Sequence, residues 1–317
     1  MRRRCGSTAS TASCASSVAS DWRAARASST WPSASIARSR TASTSRTGRK
    51  PSSTASWSSS SSCARWRSTP AWPRTCSTPL VFEAAGAAIL ADVGGGVVHR
   101  LRRLDVDPLA LTHVLVTHLH VDHSYGLPSL VRQSMILERR APLTVVCRPE
   151  HVEPLRTLLT VFRLWDRAGA FPIVLAPIEL ALGAVAFTGG GLTVSTAPNA
   201  HGAMPNFAVR VEAAGAGAVV YSSDTLPCAA VAALARGADT LVHEATYLER
   251  DRAPGRFVAH STAAEAGQVA ATAGVRRLIL THVGAEYHAD VEALAAEARG
   301  RFGGVVEVAE ELASYYF

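Results

Sequence analysis

The 317-residue sequence lacks several features that would place it in a common class of protein. It has no apolar, uncharged stretch of about 18 residues, which excludes a conventional transmembrane helix and a membrane partner. None of its six cysteines forms a C-x-x-C pair, so we expect buried thiols rather than ligands or disulfides. The glycines at 189–191 are not followed by Lys-Ser or Lys-Thr, so a phosphate loop is not indicated. A reducing, cytoplasmic compartment is the consistent expectation.

The first 78 residues also lack acids and aliphatic periodicity. They hold 12 Arg and Lys50 against the single acid Asp21, whereas residues 79–317 hold 19 Arg and 24 acids. The basic character therefore belongs to this tail and predicts no basic nucleic-acid-binding face on the rest of the chain. Too few apolar side chains are present to offset the entropy of ordering, so we expect residues 1–78 to be disordered.

Three interpretations of this tail are open. Its Arg- and Ser-rich, acid-poor composition is typical of an organelle transit peptide, and it is also compatible with RNA binding through phosphate contacts. We favour a third interpretation, in which a GC-rich gene is read in the wrong frame or from a misplaced start. Residues 79–317 would then form one domain whose first strand is missing.

Three histidines and an aspartate follow a short apolar strand predicted at 114–117. They are His118, His120, Asp122 and His123. Alternation along an extended segment points His118 and His120 to one side, and the turn at Asp122 brings two more ligands back towards them. One catalytic zinc needs fewer ligands from one loop, so two metals sharing a bridging water are indicated.

Isolated polar residues follow four later predicted strands: His201, Asp224, His243 and His282. The ends of strands hold side chains at fixed positions, so we expect further ligands there. The remaining pattern predicts strands at 80–83, 88–93, 143–147, 172–175, 192–196, 207–211, 218–222, 240–243, 277–281 and 305–308. Helices are predicted at 97–104, from Ser124 or Pro128 to 137, and at 149–162, 227–236, 261–273 and 290–301. This order fits two mixed β-sheets flanked by helices, an α+β fold in αββα layers.

The motifs His118-x-His120-x-Asp122-His123, Tyr-Ser-Ser-Asp224-Thr, His243-Glu244-Ala-Thr and His260-Ser-Thr, together with His201 and His282, resemble the metallo-β-lactamase-fold hydrolases. The resemblance is to their ribonuclease Z branch, the tRNA 3′-processing endonucleases, and it covers nearly all of 79–317. It implies one zinc held by His118, His120 and His201, a second held by Asp122, His123 and His282, and Asp224 between them. Imidazoles and carboxylates also suit zinc by their chemistry, with Mn²⁺ as an alternative occupant.

The resemblance also implies the catalytic roles. A water bridging two zincs loses a proton near neutral pH and attacks phosphorus or a carbonyl carbon. Asp122 and His260 are the candidate catalytic residues, with His260 protonating the leaving oxygen. The alternative for His260 is a packing role beside a helix cap formed by Ser261 or Thr262 with Glu265. We expect Asp92, His243 and Glu244 to orient the ligands rather than bind metal.

Three departures from the family pattern bear on the prediction. Residues 201 and 224 are only 23 apart, which leaves no room for the long tRNA-gripping arm of ribonuclease Z. Ser223 replaces the glycine that usually precedes the bridging aspartate. The first strand, with its Gly-Thr-Gly motif, is absent, which would leave a sheet edge open.

The sequence thus predicts a dizinc hydrolase that cleaves phosphodiesters, with RNA ends or small nucleotides as substrates and a homodimer as an option. The nearest alternative is hydrolysis of a lactone, thioester or aryl sulfate on the same site, because a metal signature alone does not choose a substrate. A non-catalytic RNA-binding or assembly subunit is the alternative from another class.

Overall fold

The computed structural model describes residues 65–68, 79–84, 87–253, 255 and 259–316, which build two seven-stranded sheets. The first sheet has, in order across it, β14 (Ser314–Tyr316), β1 (Arg65–Ser68), β2 (Leu80–Ala84), β3 (Ala87–Ala91), β4 (Leu111–Val116), β5 (Leu143–Cys147) and β6 (Ile173–Pro177). The second has β13 (Val305–Val308), β12 (Arg277–Thr281), β11 (Thr240–Glu244), β10 (Ala218–Tyr221), β9 (Phe207–Ala213), β8 (Leu192–Pro198) and β7 (Ala184–Gly189). Each sheet is mixed, with parallel pairing from β3 to β6 and from β10 to β13.

Helices cover the outer face of each sheet. Those of the first half are α1 (Val97–Arg103), α2 (Val121–Ser124), α3 (Leu127–Ile136) and α4 (Val152–Val161), and those of the second half are α5 (Ala229–Leu234), α6 (Ala263–Ala273) and α7 (Val291–Arg299). One apolar core lies between the two sheets. A second lies between the first sheet and its helices, and a third lies between the second sheet and its helices. The predicted αββα sandwich is confirmed. No helix in the described ranges is long and apolar enough to cross a membrane.

Strand β4 shows how the sequence positions the site. Leu115 packs into the core between the sheets, while Val114 and Val116 pack under the helices. A strand that is buried on both faces has consecutive aliphatic residues rather than alternating apolar and polar ones. Each such side chain contributes roughly 1.5–3 kcal/mol on burial. The histidines that follow β4 therefore start from a rigid anchor.

Helix α6 begins with the predicted cap. Thr262 accepts a hydrogen bond from the Glu265 amide (3.1 Å), and the Glu265 carboxylate accepts one from the Thr262 amide (2.9 Å). This capping box satisfies two amides that the first turn leaves unpaired. It also fixes the path of the chain directly after His260.

The predicted boundary at residue 79 differs from the structure at one element. Strand β1 lies inside the segment assigned to the tail and pairs antiparallel with both β2 and β14. The edge of β2 that was expected to be open is therefore covered. Pairing of this kind uses backbone groups, so the polar sequence Arg-Trp-Arg-Ser carried no periodic signal of it. Residues 1–64 and 69–78 lie outside the described residues, so the interpretations of that segment stay predictions.

Two more strands were missed, and one helix was predicted differently. Strands β7 and β14 lie at the ends of their sheets and are largely exposed, so their hydrophobic patterns are weak. The helix predicted from Ser124 or Pro128 to 137 is two helices, α2 and α3. Tyr125 and Gly126 separate them.

Candidate metal centre

The predicted ligands meet at one edge of the sandwich, where several strands end. His118 and His120 follow β4, His201 follows β8, Asp224 follows β10 and His282 follows β12. Gly126 makes the close approach of α2 to the first sheet possible, because a Cβ there would collide with the carbonyl oxygens of Val93 and Gly94. Local sequence supplies the ligand types, and the sheet ends bring them together.

Three imidazoles form the first group, which we name the histidine trio: His118, His120 and His201. The Nδ1 atom of His120 lies 3.0 Å from Nε2 of His118 and 3.1 Å from Nε2 of His201. His201 donates from its Nδ1 to the Ala259 carbonyl (2.9 Å), so its Nε2 presents a lone pair. One proton on His120 could serve only one of the two neighbouring nitrogens. Converging lone pairs of this kind are stable around a cation.

The second group, which we name the acidic group, consists of Asp122, His123 and His282. The His123 Nε2 atom lies 3.4 Å from an Asp122 carboxylate oxygen, and the His282 Nε2 atom lies 3.6 Å from the same oxygen. Neither Nε2 atom has a hydrogen-bond partner, although both are buried. Buried polar atoms are rarely left unpaired, so these nitrogens fit a ligand at this point.

Asp224 stands between the two groups. Its Oδ2 atom lies 3.2 Å from His282, 3.3 Å from His123 and 3.6 Å from His118, each measured to Nε2. Its Oδ1 atom is buried and has no hydrogen-bond partner. Candidate ligand atoms of the trio with Asp224, and separately those of the acidic group, lie within 4.8 Å of one another. The donor set and the orphaned atoms fit bound metal ions, with Asp224 close to both groups.

The charges of the two groups differ. Burial, reinforced by His123, lowers the pKa of His118 to about 2. Burial also opposes protonation of His123 and His282, but Asp224 outweighs it and raises the pKa of both. Burial opposes ionisation of Asp122, but the facing imidazoles of His123 and His282 outweigh it and lower the pKa of its carboxyl. The carboxylates thus draw positive charge to the acidic group, which a divalent cation would also supply.

Asp92 anchors both groups from behind. Its Oδ1 atom accepts from the Thr117 amide (2.9 Å) and hydroxyl (2.8 Å), and its Oδ2 atom accepts from His123 Nδ1 (2.8 Å) and the Tyr221 hydroxyl (3.0 Å). Because the Thr117 hydroxyl donates to Asp92, it accepts from His118 Nδ1 at 3.1 Å. Asp92 therefore fixes the rings of His118 and His123 with their Nε2 atoms facing the site.

Glu244 orients the rings of two other histidines, His260 and His282. Its Oε1 atom accepts from His260 Nδ1 (2.9 Å), and its Oε2 atom accepts from the Thr246 hydroxyl (2.9 Å). The Thr246 hydroxyl in turn accepts from His282 Nδ1 at 3.0 Å. His260 has a candidate ligand atom within 4.8 Å of those of Asp224 and His282, so it borders the centre itself.

His243 does not join this arrangement. It is buried beside the helices, donates from Nδ1 to the Glu244 carbonyl (2.7 Å), and leaves Nε2 without a partner. Side chains alternate along β11, so His243 and Glu244 point to opposite faces of the sheet. The prediction that His243 orients a ligand through its side chain is therefore not matched by any contact described here.

Sequence comparison with known proteins points to the same family as the motifs. A family model described as "Beta-lactamase superfamily domain" matches residues 88–283. The chain is 32% identical to ribonuclease Z of Salinibacter ruber, over 74% of this chain and 87% of that protein. The chain belongs to the ribonuclease Z-like branch of the β-lactamase superfamily.

Solved structures agree with this assignment at the level of fold. The metallo-β-lactamase fold protein YhfI from Bacillus subtilis has a TM-score of 0.65 at 21% identity, covering 80% of this chain and 100% of that chain. Human tRNase Z, short form, has a TM-score of 0.64 at 20% identity, covering 80% of this chain and 98% of that chain. The resemblance inferred from the motifs is confirmed.

Two departures from the ribonuclease Z-like pattern can be followed in the structure. Ser223 adopts φ 53, in the left-handed region that favours glycine, and its hydroxyl donates to Thr117 (2.8 Å). The turn before Asp224 is thus kept, with added hydrogen bonds. The interval from His201 to Asp224 is described throughout and is filled by a short turn and the hairpin of β9 and β10, without an inserted arm.

Several supporting residues were not predicted. Thr117, Tyr221 and Thr246 support the ligands through Asp92 and Glu244, and Asn206 donates to the Asp224 carbonyl (2.7 Å). Thr117 directly precedes His118, and Thr246 lies two residues after Glu244, so a polar residue at a buried strand end was the available signal. Tyr221 and Asn206 carry no such signal, because only the folded chain brings them to the site.

Proposed function

We propose that this chain is a dizinc phosphodiesterase that cleaves RNA in the manner of ribonuclease Z. The observation that carries the proposal is the pair of ligand groups that share Asp224, with His260 beside them. Imidazole and carboxylate donors suit zinc, and two carboxylates offset part of the charge of two divalent cations. Bound cations would supply an activated water and stabilise charge on the phosphate oxygens.

The residues of the chain have distinct parts in this proposal. His118, His120 and His201 would hold one cation, Asp122, His123 and His282 would hold the other, and Asp224 would be available to both. His260 donates through Nδ1 to Glu244 (2.9 Å), which fixes the orientation of its ring. In this proposal its Nε2 delivers a proton to the leaving oxygen, a general-acid step that contributes roughly 10²–10⁴-fold.

The short hairpin between His201 and Asp224 supports a second substrate class. A tRNA body gripped at a distance needs an extended contact surface, which this interval does not provide. We therefore infer that small nucleotide phosphodiesters and RNA 3′ ends are accepted alongside structured RNA. The free thiols of Cys147 and Cys228 support a reducing, cytoplasmic location, and homodimerisation stays a prediction.

The test combines metal content with turnover on one sample of the 1–317 chain. We expect about two zinc ions per chain by elemental analysis, with cleavage of both bis(p-nitrophenyl) phosphate and a 3′-extended tRNA precursor. His260→Ala should keep the zinc and lose roughly 10²–10⁴-fold in turnover, since the general acid alone is removed. Cleavage of a lactone, thioester or aryl sulfate in place of both phosphodiesters would overturn the substrate assignment. RNA retention without turnover in the zinc-loaded protein would support a non-catalytic role.

A further inference from the structure

Two apolar side chains beside the metal centre face solvent. Val121 is 70% exposed and Tyr125 is 52% exposed. The Tyr125 amide donates to the Val121 carbonyl at 3.1 Å, so the two residues lie one helical turn apart on the same face of α2. We name this pair the apolar platform.

The platform adjoins the open side of the centre. Val121 lies between His120 and Asp122, and the Asp122 side chain is 39% exposed, whereas His123 and Asp224 are buried. In a helix each residue advances about 100°, which places Asp122 roughly 100° from Val121 and 60° from Tyr125. A molecule that reaches the exposed side of Asp122 therefore passes next to the platform.

The Tyr125 ring is held in place by the glycine loop after β3. A Cβ on Gly95 would collide with the Tyr125 hydroxyl, so the ring packs directly on this loop. The Gly126 amide donates to the Val93 carbonyl at 2.8 Å and fixes the chain directly after the tyrosine. A ring held on one side and exposed on the other loses little entropy when a second ring stacks on it.

We propose that Val121 and Tyr125 form a stacking subsite for the nucleobase that adjoins the scissile phosphate. The inference rests on the proposed phosphodiesterase function and adds the feature that distinguishes a nucleotide from other phosphodiesters. Two uncharged side chains beside the ligand groups suit the heterocycle and not a further phosphate. Every base has a flat π-face, so the subsite accepts any base and selects nucleotides as a class.

The test compares variants on two RNA oligonucleotides that differ only by one base. One carries a normal nucleotide beside the scissile phosphate, and the other is abasic there. We expect Tyr125→Ala to lower kcat/KM on the normal substrate by about 5- to 100-fold, the equivalent of a stacked base, and to leave the abasic substrate unchanged. Tyr125→Phe should keep the wild-type preference, because the ring is retained.

Phe162→Ala is the matched control. Phe162 is also a half-exposed aromatic (57%), but it caps the C-terminal end of α4 and belongs to neither ligand group. We expect no change in this variant. Equal loss on both substrates in Tyr125→Ala would show a structural role, and no loss on either would show that nothing stacks there; both results would overturn the subsite.

A binding measurement separates this inference from the proposed function. A 2-aminopurine base beside the scissile phosphate loses fluorescence when it stacks, whether or not cleavage follows. Quenching with wild type and Tyr125→Phe but not Tyr125→Ala would support the subsite even in a chain that does not cleave RNA. If the wild type cleaves the RNA but does not quench 2-aminopurine beside the scissile phosphate, the proposed function would stand and the stacking subsite would be wrong.

Discussion

The histidine trio and the acidic group use the same kind of ligand atom in different surroundings. The far ring nitrogens of His118 and His201 donate to neutral acceptors, Thr117 and the Ala259 carbonyl. In the acidic group, His123 donates to the carboxylate of Asp92. The pKa of His118 is lowered to about 2, whereas the pKa of His123 is raised. Burial at His118 and the carboxylates around His123 thus decide how strongly protons compete with a metal for each imidazole.

The largest effect is expected where the two groups meet. Asp224→Ala should remove the shared ligand and leave His123 and His282 with only one of the two carboxylates that face them, Asp122. We expect loss of both cations by elemental analysis and a fall in phosphodiester turnover on the order of 10³-fold or more. Retention of two cations with normal turnover would mean that the groups are independent of Asp224. His243→Asn, a buried substitution outside both ligand groups, serves as the folding control.

Lowering the pH should separate the groups. The raised pKa of His123 and His282 means that both carry protons in the metal-free protein below those values, and a cation must displace them. His118, with a pKa of about 2, is already neutral. As pH falls, the acidic group should therefore lose metal first, by about tenfold in affinity per pH unit for each displaced proton. Metal titrations at several pH values should show that the metal affinity of the acidic group falls faster as the pH is lowered than that of the histidine trio. Equal pH dependence of the two affinities would contradict this difference between the groups.

Thr117→Val and Thr246→Val test the supports one at a time. Each removes a hydroxyl that accepts from one imidazole, of His118 in the trio and of His282 in the acidic group. We expect a loss of roughly 10- to 100-fold in metal affinity, confined to the group concerned. Calorimetric titration resolves which affinity moves. A loss spread equally over both groups would indicate that the hydroxyls act through the fold.

The smallest effect is expected at His243, which has no described contact with either group. His243→Asn keeps a donor for the Glu244 carbonyl and removes the unpaired Nε2 atom. Metal content and turnover should stay within about twofold, with a change in unfolding free energy of about 1 kcal/mol. A loss of zinc in this variant would restore the orienting role predicted from the sequence.

Much of the fold followed from local patterns. The bounds of β5, β12 and β13 agree with the prediction, because each is an apolar run closed by turn residues or charges. The strands β1, β7 and β14 did not follow, since they lie at or near the ends of their sheets and are stabilised by backbone pairing. Residues such as Arg65 become strand residues only when a partner such as Glu83 lies across from them.

The site was predictable in its ligand types and not in its supports. His118, His120, Asp122 and His123 lie within six positions, and His201, Asp224 and His282 lie within three residues of a strand end, so sequence order alone indicates them. Tyr221 reaches Asp92 across 129 residues, which no spacing rule anticipates. His243 shows the converse, a polar residue after an apolar run that alternation turns away from the centre.

By itself, the sequence determined the two periodicities that make the sheets and helices, and the inventory of imidazoles and carboxylates that suits zinc. The tertiary structure decided which of these side chains meet, because the ends of separate strands come together only when the two sheets pack. It also decided the pKa of His118, His123 and His282, which depends on burial and on carboxylates that are distant in the chain. Local sequence therefore set the residue types that suit a metal, and packing of the sheets set their arrangement.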